Sequence, residues 1–191
     1  MQNDMRLTFI DSDMATVKDS LLDILKRHGV VLSYGSNNID LSYVEHNVRR
    51  WKLQIWKPLC GHGVVLWGNV ADGFDSITYI LNKRYGLGWT RVSFTLDTPE
   101  PGYEMRFFHY MPANGKERYV HVMQNPRWEF WESGEPLPFE QTERYKERIK
   151  KKRLTNEMLL DYLLALGWDL RSPDFWKSDG DTCYFEWTPC G

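Results

Sequence analysis

Between Trp89 and Trp131 the chain reads as four strand-like runs joined by short turns, and this pattern constrains the fold more than any other feature. The runs are Trp89–Leu96, Tyr103–Tyr110, Arg118–Met123 and Arg127–Trp131, and the linkers read DTPEPG, PANGK and QNP. Strands joined this closely pair as antiparallel neighbours, because a parallel crossover needs a dozen or more residues. In the first run Val92, Phe94 and Leu96 alternate with Ser93 and Thr95, so one face is apolar and the other wetter. The fold predicted is a single α+β domain over residues 1–191. It has a central antiparallel sheet (meander) with helices packed mainly on one face.

The helices follow from spacing. Met14, Val17, Leu21, Ile24, Leu25 and His28 form one stripe, with Asp13 as the cap and Gly29 as the stop. A second helix is predicted from about Phe74 to Tyr85, with Asp72 and Asp75 favouring its N-terminus and Gly86 ending it. A strongly basic surface helix is predicted from about Glu140 to Lys152, its only apolar edge being Tyr145 and Ile149. The last helix begins at Thr155 and ends at Gly167. Met158, Leu159, Leu160, Tyr162, Leu163, Leu164 and Leu166 leave only Asp161 polar at its centre, which predicts burial on most sides. Further strand candidates are Arg6–Ile10, Val30–Tyr34, Ile39–Tyr43, Arg49–Trp56, Val64–Trp67 and Tyr184–Trp187.

Composition sets limits on partners. Nine Trp, ten Tyr and nine Phe in 191 residues supply a large core and leave aromatic side chains over as surface anchors. The net charge of -2 gives no global pull towards nucleic acid or membranes. Three cysteines without CxxC spacing suit reduced thiols in a cytoplasmic protein. Cys183 and Cys190 are close enough in sequence to pair, but proximity near a C-terminus establishes nothing. The N-terminus lacks the apolar core of a secretory signal, and no run approaches the roughly 18 apolar residues of a membrane span.

Chemistry is sparse. The histidines His28, His46, His62, His109 and His121 show neither HExxH nor HxH spacing. Cys60 and His62 are conceivable metal ligands, with His46 or Cys183 completing a set, but a glycine-rich turn accounts for Cys60-Gly61-His62 as well. His109 and His121 fall on neighbouring strands, where a catalytic pair competes with two side chains filling a half-buried face. No phosphate loop, dinucleotide fingerprint or nucleophile elbow is present. No catalytic, cofactor or metal residues are therefore expected.

Two charged segments are candidate contact surfaces. Arg144, Lys146, Arg148, Lys150, Lys151, Lys152 and Arg153 could meet phosphates, or form a solvated face balanced by Glu143 and Glu147. In SPDFWKSDGDTCYFEW the acids Asp174, Asp179 and Asp181 lie beside Phe175 and Trp176. Acid with aromatic is a sensible grip for a basic protein partner, the charge steering encounter and the rings anchoring it. The competing reading is an acidic loop closing over the core.

The stretch RWEFWESGEPLPFEQTERYKERIKKKRLTNEMLLDYLLALGWDL resembles the C-terminal part of immunity proteins encoded beside bacterial polymorphic toxins, including contact-dependent inhibition and type VI effector systems. The resemblance rests on Arg127-Trp128 with Phe130, the Gly134–Glu140 loop, Tyr145, Arg148 and Arg153-Leu154-Thr155, and Leu166-Gly167-Trp168 before an acidic end. It covers about a quarter of the chain and carries no inhibitory residues across. It implies a cytoplasmic, non-enzymatic protein that binds one cognate toxin domain and blocks it by occlusion. The alternatives are a small hydrolase-like enzyme using cysteine or histidine, and a nucleic-acid-binding regulator acting through residues 144–153.

Overall fold

The computed structural model describes residues 4–39, 50–70, 73–95 and 104–188. Among them nine strands form one antiparallel sheet. In chain order they are β1 (Asp4–Ile10), β2 (Val31–Gly35), β3 (Trp51–Trp56), β4 (Val64–Gly68), β5 (Trp89–Thr95), β6 (Met105–Met111), β7 (Arg118–Gln124), β8 (Trp128–Ser133) and β9 (Thr182–Trp187). The spatial order is β2-β9-β3-β4-β1-β5-β6-β7-β8. The predicted meander is the β5–β8 end. At the other end the last strand, β9, inserts between β2 and β3, which spacing along the chain does not show. The strand predicted at Ile39–Tyr43 extends outside the described residues, as do His46, Asp72 and Cys190.

Three α-helices are described: α1 (Met14–Leu25), α2 (Asp75–Tyr85) and α3 (Asn156–Ala165). The Asp13 side chain caps α1, and Thr155 caps α3. No helix among the described residues is long and apolar enough to cross a membrane.

The helices do not gather on one face. Leu7, Phe9, Trp56, Val65, Val92, Phe108, Val120 and Val122 pack with Met158, Leu159, Tyr162 and Leu163 of α3. Ile10, Leu53, Ile55, Val64, Leu66 and Phe185 pack instead with Val17 and Leu21 of α1 and Ile77 and Leu81 of α2. The reason lies in the central strands. In β4, Val64, Val65 and Leu66 are apolar in succession, so both of its faces need cover. Arg84 and Lys26 both pair with Asp23, each at 2.7 Å, and the Tyr85 hydroxyl donates to the same carboxylate, joining α1 to α2.

Two helix expectations need correction. Residues 140–152 form no α-helix. Two 3-10 turns, Thr142–Lys146 and Lys150–Lys152, flank extended backbone at Glu147 (ψ 138) and Ile149 (ψ 105). Like charges crowd the segment and disfavour a helix. Tertiary bonds then fix it. Glu140 is buried against Arg118, the Tyr145 hydroxyl lies 2.9 Å from both Glu140 and Tyr162, and Arg153 donates to the Glu147 carbonyl at 2.8 Å. The second correction concerns α3, which is amphipathic: Leu164 is half exposed.

Gly134 makes the exit from β8 possible. Its φ is +81°, and a Cβ there would stand 2.1 Å from the Glu117 carbonyl oxygen. This turn sends the following loop back across β7, where Glu140 meets Arg118.

Candidate functional site

α2 lies over β5, where the Trp89 indole donates to the Thr78 carbonyl at 2.8 Å. On the same face of β6, β7 and β8 the described residues include no covering helix, and strand alternation presents a row of rings there. Register places His109 opposite Tyr119, and His121 opposite both Phe107 and Trp131. The ring centroids form a continuous ladder: Trp89 to His109 at 4.7 Å, His109 to Tyr119 at 5.0 Å, Tyr119 to Trp131 at 5.5 Å and His121 to Trp131 at 5.8 Å. Phe107 lies 6.1 Å from Tyr119, with the Arg6 guanidinium over its ring. Trp131 remains 51% exposed at the outer end. Trp89 and Phe107 are buried and His109, Tyr119 and His121 half-buried, so the row rises from the core at Trp89 to the surface at Trp131, and Trp and Tyr are the side chains that most often anchor protein partners.

Both histidines on this face are held below their ordinary pKa by burial. For His109 the nearby Glu117 carboxylate offsets only part of that effect, and Arg91 adds to it. For His121 only Glu129 opposes it. His109 is therefore neutral near pH 7, with Nε2 2.5 Å from Glu117 Oε1. The Nδ1 atom of His121 is buried and meets no hydrogen-bonding partner among the described residues.

At the inner end of the ladder, a groove of about 530 Å³ separates α2 from the β6–β7 hairpin. Trp89, Met111 and Ile80 supply its apolar lining, Tyr79 flanks it from α2, and Glu117 and Asp75 bring carboxylates to it. Tyr79 is 53% exposed. Spacing within α2 explains the helix side: Asp75, Ser76, Tyr79 and Ile80 recur at helical intervals and so share one surface.

The residues singled out from sequence lie elsewhere. Phe175 is fully buried, 6.0 Å from the rings of both Phe9 and Trp56. Trp176 is half-buried, stacked on Trp56, with its indole donating to the Leu170 carbonyl at 3.2 Å. Asp174 pairs with Lys177 at 3.0 Å and Asp179 with Lys57 at 2.7 Å, while Asp181 is exposed. An interface on this tail would thus rest on three aspartates and the outer part of Trp176, without Phe175.

Cys60 and His62 do not converge on a shared ligand. The Cys60 thiol faces the Asp169 carbonyl at 4.0 Å, and the His62 ring packs on Trp168 at 4.7 Å. Among the described residues no three His, Cys, Asp or Glu side chains are grouped to hold a metal ion. His109 and His121 share a face but are diagonal, with Tyr119 touching both. In the basic segment Lys146 pairs with Glu143, Lys151 pairs with Glu104, and Arg144 lies 3.6 Å from Glu147. Lys151 and Arg153 also cover the Trp128 and Phe130 rings of β8. Much of this charge is occupied in holding the segment against the sheet.

Sequence reasoning missed Phe107, Tyr119 and Trp131. The signal was in β7, where Val120 and Val122 alternate with Tyr119, His121 and Met123. The second face of that strand carries rings and a thioether where a solvated strand would carry charge. No protein-family model, curated protein or solved structure matches this chain.

Proposed function

We propose that this chain is a non-enzymatic, cytoplasmic immunity-type protein that binds a cognate bacterial toxin domain and neutralises it by occlusion. The observation supporting a binding role is the aromatic ladder that runs from the buried Trp89 out to the half-exposed Trp131, on a sheet face that the described helices leave open. Rings held by strand pairing lose little freedom when a partner lands on them, so the cost of association is low. The resemblance of Arg127–Trp168 to toxin-immunity proteins supplies the partner class. β8 belongs to that stretch and contributes Trp131 to the ladder.

The ladder supports this reading better than the acidic tail does. On the tail, Phe175 is already spent on the core. Occlusion asks only for a stable surface, and both the Arg118–Glu140 network and the clamp of the basic segment hold the outer strands in place.

Co-expression with the product of the adjacent gene tests the proposal. Protection of cells from a toxic neighbour, together with an isolable complex, supports it. A harmless neighbour, or a toxic one that the chain neither binds nor restrains, refutes it.

A further inference from the structure

We propose that the groove between α2 and the β6–β7 hairpin is an arginine-accepting pocket, which receives one arginine side chain of the bound partner. This deepens the protein-binding reading and rests on it. The argument is charge and shape together. The lining is apolar where an alkyl stem would lie, along Ile80, Trp89 and Met111. The Tyr79 ring is exposed and already attracts a cation, the Lys83 ammonium 5.5 Å from its centroid; an incoming guanidinium would stack there in place of that flexible lysine.

The carboxylate of Glu117 provides the matching charge and is about half exposed. Its partner within the protein is His109, which is neutral near pH 7, so the negative charge of Glu117 is not cancelled. A carboxylate has roughly four lone-pair sites, and His109 uses one of them. Asp75 also borders the groove, but it is engaged with the buried guanidinium of Arg91. Asp75 thus adds polarity with little net charge, and Glu117 is the deciding group. Lysine fits less well, because its ammonium is a point charge that neither stacks as a plane nor forms paired parallel hydrogen bonds with a carboxylate.

The geometry also places this pocket at the end of the ring ladder, next to the Trp89–His109 contact. A partner lying across the rings would therefore present its arginine at the edge of the same footprint.

The test uses the full-length chain labelled with nitrogen-15. N-acetyl-arginine amide is the probe, and N-acetyl-citrulline amide is its neutral isostere. Saturable shifts at the Trp89 indole N–H and at the Tyr79 and Glu117 amides are expected with the arginine compound. Binding about tenfold weaker is expected for the citrulline compound and for the folded Glu117→Gln variant, the change that follows from losing one charged hydrogen bond. No saturable shift, equal binding of the two compounds, or a response of Glu117→Gln equal to that of the unaltered chain overturns the assignment. The probe needs no partner, so the two readings separate. A chain that protects cells but ignores arginine keeps the function and loses the pocket, whereas a chain that binds arginine but protects no cell keeps the pocket and loses the function.

Discussion

Replacing Glu140 by alanine should destabilise this protein more than any surface change, because its carboxylate is buried and satisfies three groups at once. It accepts from Arg118 Nε at 2.9 Å and Nη2 at 2.6 Å, from the Leu137 amide at 2.9 Å and from the Tyr145 hydroxyl at 2.9 Å. Arg118 is itself nearly inaccessible. Burial alone would lower its pKa, but the bonds to Glu140 and Glu132 more than offset this and raise it. Removing one partner of such a pair leaves an uncompensated charge and costs about 3–5 kcal/mol. Here Glu132 stays bonded to Arg118 at 2.6 Å and is partly exposed, which argues for the lower end, about 3 kcal/mol. For a chain of this size that corresponds to a fall in Tm of roughly 6–12 °C. Urea unfolding followed by tryptophan fluorescence gives the number directly, with Tyr145→Phe as a companion that loses one hydrogen bond, about 1 kcal/mol. A Glu140→Ala unfolding free energy within about 1 kcal/mol of the parent's would refute the reasoning, since a buried charge would then have lost its buried partner at almost no cost.

Gly68→Ala should cost about 1–3 kcal/mol in the same assay, because the new Cβ would stand 2.1 Å from the buried Phe74 ring and 2.9 Å from the Lys52 carbonyl. Asp23 is held down to about 2 by its bonds to Lys26 and Tyr85 and by the charge of Arg84. Its folded pKa lies below its unfolded value, so its contribution is present above pH 3.8 and is lost as pH falls through about 2; acid titrations of Asp23→Asn should lack that part of the slope. Burial likewise lowers His109 and His121 from 6.5, so unfolding takes up protons as pH drops below that value and stability declines. Melting curves at pH 7.5 and 5.5 should show this fall, and His109→Gln should reduce it.

Much of the architecture was legible because local chemistry and global packing agree there. The Met14–Leu25 helix has its cap, its stripe and its stop in sequence, and the meander has period-2 strands with turn residues between them. The basic segment was misread because charge and propensity along it say nothing of Glu140 and Tyr145, whose partners Arg118 and Tyr162 lie 22 and 17 residues away. The place of β9 was invisible for the same reason: its partners Leu53 and Leu32 are fixed by pairing across the whole chain. The candidate site was half legible. His109 and His121 drew attention as possible chemistry, but their meaning depends on register, which sets them in a row of rings with Tyr119 between them. The rings near the C-terminus drew attention as anchors, yet Phe175 is more useful to the core than to a partner.

The central claim is that the outer part of the ring ladder, with Trp131 at its edge, is the surface proposed to meet the toxin. Trp131 is its most exposed member, so its side chain can be removed with little effect on the core. The decisive measurement is the affinity of Trp131→Ala for the toxic product of the adjacent gene, compared with that of Asp181→Ala on the acidic tail. The account predicts that Trp131→Ala loses about 2 kcal/mol or more, roughly thirtyfold in Kd, together with protection, while melting close to the parent temperature. Asp181→Ala should bind as the parent does. Full affinity and protection in Trp131→Ala, with the loss falling on Asp181→Ala, would contradict it.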